Sequence, residues 1–352
     1  MKALALTAIK QLAWQDVPEP APPGPREVLL EVAAVGVCGS DLHYYNHGRI
    51  GSLVVQFPLI LGHECSGRVL SVGPTVTRVQ PGDHVAVEPA LSCGACDQCL
   101  AGRRHTCRRL KFLGCPGQLA GCLCERIVMP EECCFPVAAA TTPAQAVLVE
   151  VLSIAVYAVR QGGVPPDAAV GILGAGPIGL AVLLVLRQAG LRKLYVTEPL
   201  AARRAAAARL GAAWTGDPYA ADPAAAVGAR APLGLDVVFE CCGQQAAVDD
   251  ALRLLKPGGT LAMVGIPTVD RISLTIDMAR RREVRFQNVR RQNDCIPAAL
   301  ELIERGGLPV QQLHTHTFPF ARATEAFDLV ANYRDGVIKA VIEVGGGAAG
   351  GW

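Results

Sequence analysis

At 352 residues the chain is too long for one compact domain of ordinary size, so two domains are the expectation. With 51% hydrophobic and 18% charged residues it has material for a sizeable core, and a formal net charge of +2 supplies no global attraction to nucleic acid or an anionic membrane.

The opening run Met1-Lys2-Ala3-Leu4-Ala5-Leu6 is soon followed by Gln11, Trp14 and Asp16, which is no secretory leader, so a cytoplasmic location is expected. In that compartment the fourteen cysteines read as thiols and metal ligands rather than a disulfide framework. Up to about residue 130 short apolar runs, Glu27 to Val37, Gly67 to Val72 and His84 to Val87, alternate with turn signals such as Pro81-Gly82-Asp83, an all-β pattern. Within it, Val37 to Glu64 holds Cys38, Ser40, His43 and Tyr44 at one end and Gly62-His63-Glu64 at the other. A thiolate, an imidazole and a carboxylate are the ligand types zinc prefers, and few protein ligands leave a position open for water or substrate. Taken singly, a Cys or His in such a place is more often an ordinary structural residue.

Cys93, Cys96, Cys99 and Cys107 follow the spacing C-x2-C-x2-C-x7-C, a loop of about residues 90–110 able to close a tetrahedral zinc shell with no vacancy, hence a structural site. An iron–sulfur cluster is the rival ligand pattern. Around the last cysteine stand Arg103, Arg104, His105, Arg108, Arg109 and Lys111; in a near-neutral chain they read as a solvated loop or a subunit contact before a nucleic-acid surface.

From Ala144 to Arg160 a mostly apolar helix is expected, and Glu150 is the only charge between Cys133 and Val159. Such a carboxylate faces solvent, takes up a proton or finds a cation, and a metal at a domain junction would supply one. Beyond it strands and helices alternate: Ala169 to Leu173, Ile178 to Ala189, Lys193 to Thr197, Ala201 to Leu210, Asp236 to Glu240, Gln245 to Leu255 and Thr260 to Ile266. That is a parallel sheet with helices on both faces. The run Ala168 to Leu186 is long enough for a membrane span, but Gly171, Gly174, Gly176, Pro177 and Gly179 fit a buried strand, turn and helix instead.

Gly174-Ala175-Gly176-Pro177-Ile178-Gly179 follows a strand and opens a helix, the context a dinucleotide pyrophosphate requires. Glu198, at the next strand end, is placed to accept ribose hydroxyls and favours NAD over NADP; Arg203 and Arg204 stand close enough to soften that preference. Glu240 to Gly243, Val264 to Ile266 and Asn288 close later strands along the same edge and are candidate cofactor contacts. After a strand from Arg285 to Val289 and a helix from Ile296 to Arg305, the strand-like Val337 to Val344 has the β character of the first segment and is expected to return to it. The domains are thus expected as 1–150 with 290–352, and 151–289; Gly345 to Trp352 reads as a frayed tail.

Gly36-Val37-Cys38-Gly39-Ser40-Asp41, Gly62-His63-Glu64, the four-cysteine loop and the glycine loop resemble, in order and spacing, the medium-chain zinc-dependent alcohol dehydrogenases. His43 to Gly51 and Thr315 to Pro319 look like the sorbitol and xylitol (polyol) branch, while Val151, Tyr157 and Thr317 depart from it. The resemblance implies an α/β protein, a GroES-like β domain fused to a Rossmann domain, with two zincs per chain, NAD, and an active site in the cleft between the domains. It implies Cys38 and His63 as catalytic zinc ligands, with Glu64 or Glu150 completing the set, Ser40 and His43 as a proton path, and Tyr44 and Arg290 (or Arg291) towards the substrate. The implied reaction is oxidation of a secondary alcohol, a polyol giving a ketose, in a homodimer or homotetramer with no nucleic-acid or membrane partner. A butanediol-type diol or L-threonine is the alternative substrate, and a zinc-stabilised nucleic-acid-binding protein the remote alternative.

Overall fold

The computed structural model describes residues 1–305 and 308–345; the expected frayed tail lies, from residue 346 on, outside the described residues. Two units emerge, one of Met1–Glu150, Ile296–Gly306 and His314–Trp352, the other of Val151–Cys295 and Gly307–Leu313.

The first unit opens with a hairpin, β1 (Lys2–Ala8) and β2 (Gln11–Asp16), and continues with β3 (Glu27–Gly36), α1 (Gly39–His47), β4 (Glu64–Val72) and β5 (His84–Val87). After the cysteine loop come β6 (Arg126–Pro130), β7 (Cys134–Pro136) and helix α2 (Pro143–Gly162), whose first turns to Glu150 belong to this unit. The seven-stranded sheet has the order β7-β5-β4-β3, then the chain's last strands, β15 (Lys339–Glu343) and β14 (His314–Pro319); β6 also pairs with β3. The central strand β3 sets the register that matters: Gly36 faces Glu64 on β4 on one side and Val341 on β15 on the other. Val28, Leu30, Val32 and Val35 of β3 are buried with Leu61, Leu123 and Phe327 in one apolar core, while Ala34 packs with Val147 and Val341. Helix α6 (Ala323–Ala331) turns Ala326 and Phe327 into the same core.

Helix α1 is a departure from the all-β reading of this segment. Cys38, extended at φ −93° and ψ 154°, caps it, and the Asp41 carboxylate accepts from the Cys38 amide at 3.1 Å. A nine-residue helix that turns Asp41 inward beside Leu42 and Tyr44 has too few apolar positions to show a helical period.

The second unit is a six-stranded parallel sheet in the order β10-β9-β8-β11-β12-β13, with β8 Ala169–Leu173, β9 Lys193–Thr197, β10 Trp214–Gly216, β11 Leu235–Glu240, β12 Leu255–Met263 and β13 Arg285–Asn288. Helices α3 (Pro177–Gln188), α4 (Ala201–Arg209) and α5 (Gln245–Leu254) are the crossovers that parallel pairing demands. Strand β12 starts earlier than the turn residues Pro257-Gly258-Gly259 imply, because Leu255 pairs with Leu235 before the register shifts to Thr260 with Val237. The short edge strand β10 is invisible to a period-2 pattern at three residues. Among the described residues one helix, α2, is long and apolar enough to cross a membrane, and 61% of its most apolar window is buried in the fold.

Candidate active site

At the end of β3 the Val37 amide donates to Ala340 O, and Cys38 follows as the cap of α1. Asp41, wholly buried, ties this turn to the one that precedes β4: it accepts from the amides of Cys38 at 3.1 Å and Gly62 at 3.2 Å, and its Oδ1 lies 3.4 Å from His63 Nδ1. With Nδ1–H directed at the carboxylate, Nε2 is left as the donor atom for a metal. Nε2 faces Ser40 Oγ at 3.5 Å, and that hydroxyl donates to Cys38 Sγ at 3.3 Å. The ligand atoms of Cys38, His63 and Glu64 lie within 4.8 Å of one another.

Burial alone would push the His63 pKa down, but Asp41 and then Cys38 outweigh it and hold it well above the ordinary value. Asp41 and Cys38 thus make this a place that favours positive charge beside the imidazole. A donor set of one thiolate, one imidazole and one carboxylate, with a carboxylate behind the imidazole, fits a zinc ion in the proton's place.

Glu64 itself is fully buried, and both its oxygens are engaged: Lys339 Nζ donates to Oε1 at 2.8 Å and Oε2 at 2.7 Å, and to Val37 O at 3.0 Å. Gly36 leaves the room, since a Cβ there would stand 2.2 Å from Glu64 Oε2. Burial lowers the Lys339 pKa, yet Glu64, Cys38 and Glu150 together raise it above its ordinary value. Glu150, on α2, is buried and near enough to be felt by Lys339, but stands outside the converging group of three.

His43 is half-buried on α1, its pKa lowered by burial and then by His47. Tyr44, expected towards the substrate, packs in the β core with its hydroxyl 3.7 Å from Cys115 Sγ. Arg290 and Asn288 are exposed at and just beyond the end of β13.

The four sulfurs of Cys93, Cys96, Cys99 and Cys107 also converge within 4.8 Å. Pairs stand at 3.6 Å (Cys96 and Cys99), 3.8 Å (Cys96 and Cys107) and 4.0 Å (Cys93 and Cys99). With Zn–S bonds of about 2.3 Å, a tetrahedron of sulfurs has edges of about 3.8 Å, so the loop fits one zinc; the core of an iron–sulfur cluster would spread the thiolates further apart. Backbone amides, that of Ala95 foremost, bring the Cys93 thiol down to about 6, and Cys107 Sγ accepts from the amides of Cys93 and Arg109. Arg108 is committed to a two-pronged pair with Asp97.

In the second unit Gly174 adopts φ +98° and donates to Thr197 O, and a Cβ at Gly179 would fall 1.9 Å from Gly174 O, so only glycine allows α3 to start this close to β8. Pro177 and Ile178 open α3, with Gly176 as its cap. Glu198, buried at the end of β9, accepts from the amides of Ala175 at 2.8 Å and Leu200 at 3.0 Å. Arg204 is spent on the carbonyls of Glu198 and Pro199 and on Asp217, while Arg203 is buried beside Gly176. One carboxylate, Glu240, gathers the next loops: it accepts from the amides of Cys242 at 2.8 Å and Gly243 at 2.6 Å, and its carbonyl accepts from Val264 and Gly265. Ile266 follows, 42% exposed.

Three residues were not assigned roles by the motifs. Asp41 lay inside one, and its position three residues after a helix cap was the available signal. Lys339, alone in the run Val337-Ile338-Lys339-Ala340-Val341, is open to the argument made for Glu150, that an isolated charge in apolar surroundings needs a partner. Glu240 stood in a strand end read as a candidate cofactor contact, and only its part in holding the neighbouring loops offered no local sign.

Residues 24–139 match the alcohol dehydrogenase GroES-like domain and residues 177–305 the zinc-binding dehydrogenase domain. Sorbitol dehydrogenase of Bacillus subtilis is 31% identical, with 97% of each chain covered, and that of Rattus norvegicus is 36% identical over 87% of this chain and 86% of its own. Among solved structures, 2R,3R-butanediol dehydrogenase from Bacillus subtilis superposes with a TM-score of 0.87 at 28% identity, covering 97% of this chain and 99% of its own. The chain belongs to the zinc-dependent medium-chain alcohol dehydrogenases, enzymes that use zinc and NAD, and is similar to the polyol dehydrogenase branch.

Proposed function

We propose that the chain oxidises a secondary hydroxyl of a polyol such as sorbitol or xylitol to a ketose and passes the hydride to NAD. Cys38, His63 and Glu64 hold the catalytic zinc, and Cys93, Cys96, Cys99 and Cys107 a structural one. The observation that carries this reading is the convergence of three unlike donor atoms within 4.8 Å, with Asp41 behind the imidazole. Zinc held there polarises the substrate hydroxyl and lowers its pKa. Ser40, whose Oγ lies beside both Cys38 Sγ and His63 Nε2, receives the proton, and His43, whose pKa burial and His47 lower, accepts it in turn. Glu198 receives the adenosine ribose hydroxyls and disfavours a 2′-phosphate; the commitment of Arg204 to Asp217 and two carbonyls supports NAD over NADP.

The relatives named sorbitol dehydrogenase support a polyol, and the butanediol dehydrogenase likeness supports a simpler diol more weakly. The enzyme works in the cytoplasm as a homo-oligomer. Edge strand β13 supports the homo-oligomer, since it offers an open edge and the exposed Phe286 for a second copy, to be checked by analytical ultracentrifugation. Steady-state NAD reduction with xylitol, sorbitol, butanediol and threonine tests the substrate class. Turnover of threonine alone would sink it. Metal analysis tests the site: two zincs in the wild type and one in Cys38→Ser, which should be folded and inactive.

A further inference from the structure

We infer that Lys339 is a positioning residue of the catalytic metal site, one that shares the Glu64 carboxylate with the zinc and so sets how strongly Glu64 binds it. The inference rests on the metal assignment above. It starts from an imbalance. A fully buried ion pair costs more desolvation than it recovers unless its geometry is excellent, and an apolar pair of the same volume would tie two strands at least as well. Lys339 and Glu64 are each 1% exposed, and their geometry is saturated on the lysine side: the three N–H donors go to Oε1, Oε2 and Val37 O. The carboxylate is not saturated, because it has about four lone-pair sites and the lysine uses two. A Glu64 carboxylate oxygen also lies within 4.8 Å of Cys38 Sγ and of a ring nitrogen of His63, so an unused pair is within reach of an ion held there.

The register makes this arrangement specific. Glu64 opens β4 and Lys339 opens β15, on opposite sides of β3, and the carboxylate passes over Gly36 to reach the ammonium. A dication beside one thiolate and one unshared carboxylate would be neutralised. With its ammonium bonded to both carboxylate oxygens, Lys339 would leave a zinc held there more of its charge, so that Glu64 would hold it less tightly and it would act as a stronger Lewis acid. Removing the lysine charge both frees Glu64 to bind fully and removes a repulsion, so the two effects act in one direction.

The test uses the full-length protein with cobalt(II) in place of zinc, the four-thiolate cobalt serving as internal spectral reference, together with the rate of zinc release to a chelator. In Lys339→Met the visible bands of the Cys38 site should shift and zinc release from it should slow about 10-fold or more, with a lower kcat. Lys339→Arg, which keeps a cation on Glu64, should restore the wild-type spectrum. Glu64→Gln, which keeps the lysine and removes the shared ligand, should shift the bands and speed release; it decides the matter even if Lys339→Met does not fold. A Lys339→Met spectrum identical to wild type, with release changed only in step with the melting temperature, would leave the pair purely structural and overturn the inference. So would an unchanged spectrum in Glu64→Gln. Cys38→Ser separates the two levels: loss of the site's bands there confines a failure in Lys339→Met to Lys339 and one in Glu64→Gln to Glu64, whereas their persistence overturns the metal assignment and this inference with it.

Discussion

Gly36→Ala probes the crowded side of the proposed metal site without replacing any of its ligands. The new methyl would fall 2.2 Å from Glu64 Oε2 and 2.8 Å from Val147 Cγ1, both closer than carbon atoms tolerate. The backbone cannot move away, since Gly36 is paired with Glu64 on one side and Val341 on the other, and Val147 is packed against Ala34 and Val341. The end of the Glu64 side chain is the cheapest thing to move, and moving it breaks a buried ion pair. Overpacking costs about 1–3 kcal/mol, and breaking a buried pair about 3–5 kcal/mol when one partner is lost outright. Glu64 is displaced rather than deleted, so roughly 2–5 kcal/mol is expected in all, a fall of about 5–15 °C in the melting of this unit. Thermal melts of the wild type, Gly36→Ala and the control Gly39→Ala, where an added Cβ meets nothing within 4 Å, measure it. A Gly36→Ala melt within 2 °C or so of wild type would refute the claim that this glycine is there to let Glu64 reach Lys339.

Asp41→Asn should weaken zinc at the Cys38 site by about 10–100-fold, roughly 1.4–2.7 kcal/mol, because the amide cannot accept from both backbone amides and the imidazole; chelator competition reads this directly. Cys93→Ser should lose one of two zincs and expose the 93–107 loop to proteolysis while the Cys38 site keeps its metal, as metal analysis and limited digestion would show. For Asp236, burial pushes the carboxyl up, but Lys256 and the Ala169 amide outweigh it and the pKa is lowered. A lowered carboxyl contributes stability that is present above the unfolded value of about 3.9 and is lost as pH falls through the folded one. Lys256 is 41% exposed, so screening reduces the pair's worth, and Asp236→Asn should cost about 1 kcal/mol at pH 7 and nothing once both proteins are below the folded pKa. Denaturant melts across pH 2–7 would show the two curves converge at the acid end; a constant gap would rule out the charge as the cause.

The local features were legible because their parts are neighbours in the chain. Four cysteines stand within fifteen residues, and the spacing that suggested a common shell is matched by the convergence of their sulfurs. The glycine loop carried its own context, a strand before and a helix after, and Glu198 stood at the next strand end. Cys38, His63 and Glu64 were recognisable as ligand types, but a carboxylate in a motif does not reveal its hydrogen bonds.

What only the tertiary structure decided follows from strand order. Lys339 lies 275 residues beyond Glu64, and nothing in a period of two says that β15 will pair with β3 in the register that brings Gly36 opposite Val341. That register results from the packing of the sheet as a whole, with Ala34, Val147 and Val341 in one cluster. Helix α1 was likewise decided by a side chain, Asp41, bonding to its own cap at Cys38 and to Gly62, 21 residues further on. The sequence by itself determined which groups could do the chemistry, because chemistry depends on residue type and short spacing. Which cation sits behind Glu64 was decided by long-range pairing, whose energy no local window contains.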